Sequence, residues 1–419
     1  MKPRNPLPAA MLAVMLILPA AAAGDSPQWG GHLRGRGEVL WPDSSTGTVD
    51  RSTAFDGIGE VRLKGRADLT SWGRLDAHYE GIFAVGDTVE APISATGLDS
   101  GGGIVGPPGD DRRLMDLSRT VTERGDAVAY HRLDRLSLTL FPQWGTVTLG
   151  RQALTWGNGL LFNPMDLFNP FSPTDFDRDY KIGDDMVSVS LAGEGMTGLQ
   201  GLYVPRRTGD GDLDWTASSA ATKFHWAVGT TELDLMMAIH YGEAVVGAGA
   251  MGYLGGAAWR SDLVVTRTDD SPDSATELQW VVNLDYAWTL AGKNCHGGLE
   301  YYHNSLGTDD PAEAAFDPVL MERLVRGEVH TLGRDYLAGQ VRIELHPLVN
   351  VFFTGVVNLG DPSAVFQPRA VYDLRQNLQW LLGGTFYAGG SGTEYGGFDL
   401  PAGRVDPAPA LYTWITWFF

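Results

Sequence analysis

One cysteine among 419 residues excludes a disulfide framework, a cysteine-rich zinc site and a multihaem protein. Bases are scarce as well. Lysine and arginine number 31 against 51 acids, a net charge of −20 and the wrong balance for a nucleic-acid binder. A charged fraction of only 20%, with 54 glycines and 10% aromatics, does not describe a disordered chain. Beyond residue 23 no run of 18 apolar residues occurs, so no helix is available to span a bilayer. The nearest stretch, Ala244 to Trp259, is interrupted by Gly247, Gly249, Gly252, Gly255 and Gly256.

Enzyme signatures are missing too. There is no HExxH, no P-loop and no GxSxG. Gly247-Ala-Gly249-Ala-Met-Gly252 matches GxGxxG, but it sits among alternating apolar residues with no helix after it. Asp210, Asp212 and Asp214, like Asp175, Asp177 and Asp179, have calcium-like spacing without the rest of an EF-hand, so both read as solvated loops. No catalytic residue, cofactor or metal site is expected.

The chain opens on Lys2 and Arg4, then an apolar core from Met11 to Leu18, then Ala21 to Ala23 before Gly24. This reads as a cleaved export signal over 1–23, leaving 24–419 as a single domain. Period-two alternation dominates the rest of the chain. From Leu278 to Leu290 one face is Leu278, Trp280, Val282, Leu284, Tyr286, Trp288 and Leu290, while the other is Gln279, Val281, Asn283, Asp285, Ala287 and Thr289. Thirteen residues of such alternation are long for a soluble strand and suit one with lipid outside and water inside.

Eighteen spans read this way: 31–41, 60–70, 74–84, 127–141, 145–156, 184–193, 197–206, 220–228, 232–242, 245–254, 257–267, 277–290, 293–304, 335–346, 349–360, 363–374, 377–388 and 411–419. The even-to-odd joins are then tight turns, and the long connections all fall on the other side, as in an up-and-down membrane barrel with short periplasmic turns and long external loops. The expectation is an all-β transmembrane antiparallel barrel of 18 strands, or 16 if one short pair is miscounted. Cys295 falls on the outward face with Leu299 and Tyr301.

The chain ends Leu411-Tyr-Thr-Trp-Ile-Thr-Trp-Phe-Phe419, with Trp417, Ile415 and Leu411 on the face of Phe419. On these residues and the alternation, the sequence resembles Gram-negative outer-membrane β-barrel proteins. The resemblance implies an outer-membrane location, lipid and lipopolysaccharide as surroundings, and Trp417 and Phe419 as a signal read by the barrel-assembly machinery. Gly150-Arg-Gln, Trp156-Gly and the doubled Phe-Asn-Pro at 162–164 and 168–170 look like the GRQ…WG…FNP segment of porin-like proteins.

That segment continues into the loop 157–185, with Asn163, Asp166, Asn169, Asp175, Asp177 and Asp179. Its prolines and aromatics make it an ordered loop, which either folds inward as a constriction or caps the rim. Facing the lumen from adjacent strands, Arg34, Arg36, Arg62, Lys64, Arg66 and Arg74 are expected to form a basic patch on the wall. Either they zip the lumen with nearby acids, or they attract anionic solute. Asp317, Pro318 and Gly327 bracket a short loop helix whose Leu320, Met321, Leu324 and Val325 need cover, expected from the barrel rim.

Two functions fit. One is a porin-like channel for small solutes or an anionic polymer, similar in plan to alginate-export and capsule-type barrels. The other is a structural sleeve or anchor housing a partner in an envelope export or electron-transfer complex.

Overall fold

A strand in hydrocarbon has no water to satisfy its N–H and C=O groups, so a sheet of such strands must close on itself. The computed structural model describes residues 27–42, 53–89, 109–168, 170–173, 180–193, 197–267, 276–401 and 403–419. The expected export signal, 1–23, lies outside the described residues. Eighteen antiparallel strands form the wall. They are β1 (Gln28–Leu40), β2 (Ala54–Thr70), β3 (Gly73–Gly86), β4 (Ala127–Leu140), β5 (Thr146–Gln152) and β6 (Asp184–Ala192). Next come β7 (Gly198–Arg207), β8 (Leu213–Val228), β9 (Thr231–His240), β10 (Glu243–Leu254), β11 (Ala257–Arg267) and β12 (Thr276–Leu290). The last six are β13 (Lys293–Asn304), β14 (Asp335–His346), β15 (Val349–Asn358), β16 (Ser363–Arg375), β17 (Leu378–Ala388) and β18 (Ala410–Phe418).

Each strand pairs with its neighbours in chain order, and β1 closes the ring on β18, from Leu33 opposite Trp417 to Leu40 opposite Ala410. The final residue belongs to this seam. Gly31 N–H donates to the Phe419 carbonyl at 2.9 Å, and Phe419 N–H returns the bond at 3.1 Å. The observed count is the 18 read from the alternation, not 16. Two-residue turns join β2 to β3, β8 to β9, β10 to β11, β12 to β13, β14 to β15 and β16 to β17, all on one rim. Around that rim Trp29, Trp72, Trp144, Trp417 and Phe419 face outward, where amphipathic rings favour the interface. Cys295 is buried on β13 between Trp288 and Ile343, in the lipid-facing row expected for it.

The wall is interrupted where β4 meets β5. β5 has seven residues and β6 nine, and β5 pairs with β4 only from Leu136 to Leu140. This is shorter than the expected 145–156 because the chain leaves the sheet after Gln152. The edge of β4 thus left bare would carry unsatisfied amides. Residues 118–124 pair with it instead, opposite Ala127 to Arg132. The preceding residues reach β7, where Arg207 N–H donates to the Arg112 carbonyl at 2.8 Å.

Arg151 fastens this patch. Its guanidinium, 1% exposed, donates to Asp185 at 2.8 Å, to Asp110 at 3.1 Å and to the Met115 carbonyl at 2.6 Å. Asp185 and Asp110 in turn accept the N–H groups of Met115 and Leu117.

On the opposite rim, α1 (Pro311–Ala314) and α2 (Pro318–Arg326) lie in the connection from β13 to β14. Asp317 caps α2 by accepting the Val319 and Leu320 N–H groups, and Gly327 ends it at φ 72°. The cover for Leu320 and Leu324 comes from Phe398, Leu400 and Val405, in the 398–405 hairpin of another external loop, rather than from the barrel rim. Val325 is 72% exposed and has no such cover.

Replacing Arg151 by Met should strand the buried Asp185 carboxylate, leave Asp110 with Arg113 alone, and cost about 3–5 kcal/mol. The folded, fast-migrating form on gels should then be lost at lower temperature, and adding Asp110→Asn and Asp185→Asn should recover part of the loss. An unchanged transition in the single variant would show that the patch does not depend on this ion cluster.

Candidate functional site

The chain that leaves β5 runs inward. Of residues 153–183, all but 169 and 174–179 are described, so Asn169, Asp175, Asp177 and Asp179 lie outside the described residues. Trp156, Met165 and Phe168 pack on Leu202, Val204, Met236, Ala238, Val245 and Val264, apolar side chains from β7, β9, β10 and β11. The Trp156 indole N–H donates to Gln200 on β7 at 2.8 Å. Farther round the wall, Phe162 stacks on Tyr302 of β13, with ring centroids 4.3 Å apart, and touches Tyr336 of β14. β14 stands about half the ring from β5, so the loop crosses the lumen.

Two wall carboxylates hold it there. Glu300 on β13 accepts three consecutive backbone N–H groups, from Leu160 at 2.6 Å, Leu161 at 3.0 Å and Phe162 at 2.8 Å. Asp262 on β11 accepts the Asn158 N–H at 2.5 Å and its amide at 2.8 Å. Charge-assisted bonds of this kind are about twice as strong as neutral ones, and they satisfy amides that would otherwise be orphaned in the lumen. The approach is close enough to dictate glycine at Gly249, where a Cβ would lie 2.5 Å from Asp262 and 2.9 Å from the Asn158 amide. Gly247 and Gly249, the first two glycines of the GxGxxG, thus admit the loop, while Gly252 faces Trp259 of the wall. Gly157, at φ 91°, turns the chain so that the Asn163 amide can donate to the Trp156 carbonyl at 2.9 Å.

Asp166 makes its own buried pair with Lys181, which also donates to the Leu154 carbonyl. Burial pushes Asp166 up to about 6, against the opposing pull of the Lys181 ammonium. This contact ties the outgoing limb of the loop to the returning one.

The six bases of β1 to β3 do lie on neighbouring strands facing inward, but most sit beside acids. Arg34 lies 3.5 Å from Glu60, Arg36 2.8 Å from Glu38, and Arg62 2.9 Å from Glu80 while also bonding Asp134. Arg66 pairs with Asp76 at 2.8 Å and Arg74 with Asp68 at 2.7 Å. The buried guanidinium groups of Arg36 and Arg62 need a counter-charge, which the acids interleaved along the same faces supply, whereas Arg66 and Arg74 make more exposed pairs. Lys64 differs: among the described residues it has no carboxylate partner, and its ammonium meets Tyr180 of the loop.

External loops fill the mouth. Arg323 of α2 bonds Glu243 at 2.7 Å, Glu277 at 2.9 Å and Glu328 at 2.7 Å. Glu394, fully enclosed in the loop before β18, accepts the Tyr336 hydroxyl at 2.5 Å, the Asn358 amide at 2.8 Å and the Leu332 N–H at 2.9 Å. Burial, with Asp361 nearby, pushes Glu394 up to about 7 despite those donors. Local motifs do not mark these anchors. Asp262, Glu300 and Glu394 stand in the sequence as isolated acids, and for the first two inward parity was the sole signal.

The fold and its outward apolar surface define an outer-membrane-type β-barrel whose lumen is crossed by one long loop. No protein-family model matches the chain, and no curated protein matches its sequence. Among solved structures it is similar to Acinetobacter baumannii OccAB2 at 10% identity, over 94% of this chain and 98% of that one, with a TM-score of 0.54. OccAB4 of the same organism is 9% identical over 95% and 99% of the two chains, TM-score 0.52. Pseudomonas aeruginosa OprD is 10% identical over 94% and 95%, TM-score 0.51. At such identities the likeness is one of fold.

Glu394 sets a pH dependence. Its proton is held more tightly in the folded loop, at about 7, than at the ordinary 4.5, so its contribution to folding is greatest below about 4.5 and is lost as pH rises through about 7. The thermal transition of the folded protein should therefore fall between about pH 5 and pH 8, and Glu394→Gln should flatten that slope. A wild-type transition that rises across this range by the amount the variant removes would contradict the assignment.

Proposed function

We propose that the chain is a porin-like channel of the outer membrane, passing small solutes through a lumen constricted by the loop from β5 to β6. One observation carries this reading: the Glu300 carboxylate holding three successive loop amides inside the barrel. A loop so fixed narrows the passage while leaving the wall intact, and it occupies the space that a housed partner chain would need. That counts against the structural sleeve. Passage of an anionic polymer is likewise disfavoured relative to small solutes.

Trp417 and Phe419, at the closing seam, serve as the signal for the assembly machinery. Lipid and lipopolysaccharide cover the outward face. Asn163 and Asp166 belong to the constriction, and Asn169, Asp175, Asp177 and Asp179 complete its loop.

In this channel the bases of β1 to β3 act as an alternating acid–base wall rather than as a field of one sign. Anions gain from the forked guanidinium donors only where a solute can compete with the resident carboxylate. Arg36→Gln, Arg62→Gln and Arg66→Gln together leave Glu38, Glu80, Asp134 and Asp76 without those cations. In planar bilayers at low salt the triple variant should shift the reversal potential toward cations, by roughly threefold or more in permeability ratio. An unchanged ratio would remove these pairs from the permeation path. Absence of any conductance in the wild type would overturn the channel reading itself.

A further inference from the structure

The outward wall of β1 to β4 holds a groove of about 560 Å³, floored by Gly35, Gly59 and Gly81 and edged by Leu33, Val61 and Phe83. Gly35 stands opposite Gly59, and Gly37 opposite Gly57 in the next row. Nothing inside the chain asks for glycine in these two rows. All four residues have φ below zero, and a Cβ at Gly35 or Gly37 would meet no atom within 4 Å. At Gly57 and Gly59 it would meet only ordinary contacts, from 3.8 Å and 4.0 Å. Glycine weakens a strand, and glycines that no neighbour requires leave room for something outside the chain.

Polar groups in the same groove lack partners. Tyr79 and His131 line it, their ring centroids 5.7 Å apart. The His131 Nδ1 is shielded from solvent without a hydrogen bond, and the Tyr79 hydroxyl has none among the described residues. In hydrocarbon no water serves them, and an alkyl tail cannot. From Leu140 up to His131 the tilted strand rises roughly 20 Å, most of the height of the apolar band, so the upper groove lies in the outer leaflet. Beside it, residues 118–124 carry Arg119 and Arg124 in the outward rows of His131 and Ala127. Both arginines are exposed and unpaired among the described residues.

We propose that this face seats one outer-leaflet glycolipid carrying two phosphates, of the lipid A type. An acyl chain lies in the glycine groove, its ester or amide linkage meets Tyr79 and His131, and the phosphates meet Arg119 and Arg124. The inference rests on the outer-leaflet surroundings given above and does not depend on conduction. Spaced along one strand, the two arginines stand roughly 15 Å apart, too far for a single phosphate and suited to a headgroup charged at both ends. Their guanidinium groups fork onto phosphate oxygens. A second copy of this chain is the rival occupant of a flat glycine face, but a two-fold contact would bring the same two arginines of each copy to one boundary.

The test is native mass spectrometry of the purified full-length protein in detergent with added bisphosphorylated hexa-acyl lipid A. The wild type should retain one molecule. Arg119→Gln with Arg124→Gln, and separately Gly35→Leu with Gly59→Leu, should each weaken retention roughly tenfold, and Tyr79→Phe roughly threefold. The folded, fast-migrating form on gels shows that a variant has assembled, and Tyr79→Phe, which removes one hydroxyl from the lipid face, keeps the test open should a double variant fail to. Inorganic phosphate should not compete, and phosphatidylglycerol should need roughly tenfold higher concentration to do so. Unchanged retention in any assembled variant, competition by inorganic phosphate, displacement by phosphatidylglycerol at equal concentration, or dimers in place of bound lipid would overturn the proposal. Retention as expected in a protein that carries no current would keep this seat and remove the channel.

Discussion

No backbone amide placed in hydrocarbon can be left without a partner, and the rest of this structure depends on that constraint. It forces 18 strands into a closed ring and puts the last residue, Phe419, into the seam with Gly31. It also governs the stretch, around β4 and β5, where a wall strand is cut short. When the chain leaves β5 to enter the lumen, the exposed edge of β4 has to be paired again, and residues 118–124 do so. The buried Arg151 cluster then holds that patch in place. The inward loop and the patch in the wall are therefore two consequences of one departure from the sheet.

Inside the lumen the same requirement is met by side chains. The loop brings amides into a confined space, and Glu300 and Asp262 receive them. Each of these acids spends its charge on the loop. Glu60, Asp68, Asp76 and Glu80 of β2 and β3, by contrast, pair with arginines and with His32. Asp134 of β4 does both, accepting the Gly183 N–H of the loop at 3.3 Å while pairing with Arg62.

Much of this was legible in the sequence because membrane strands alternate with a strict period of two. Strand count, turn placement and the outward position of Cys295 derive from parity, and the α2 caps derive from Asp317, Pro318 and Gly327. The anchors did not, because their partners are far away in the chain. Glu300 lies 140 residues from Leu160, and nothing near either residue marks the contact. The bases of β1 to β3 were legible as a group, but their net effect was not, since pairing such as Arg62 with Asp134 is fixed by register across three strands and an irregularity between β3 and β4. The cover of α2 failed for a related reason: Phe398 is brought to it by a second external loop whose path no local pattern encodes.

The central claim is that the loop from β5 lies across the lumen against β13. It is tested most directly by a disulfide between Leu160→Cys and Gly298→Cys in a chain that also carries Cys295→Ser. A Cβ at Gly298 would stand 2.7 Å from the Leu160 side chain, so oxidation should form the bond in nearly every molecule. Because the loop is already there, oxidised and reduced protein should carry the same current. Failure to cross-link, or a current that collapses on oxidation, would place the loop elsewhere and contradict the account.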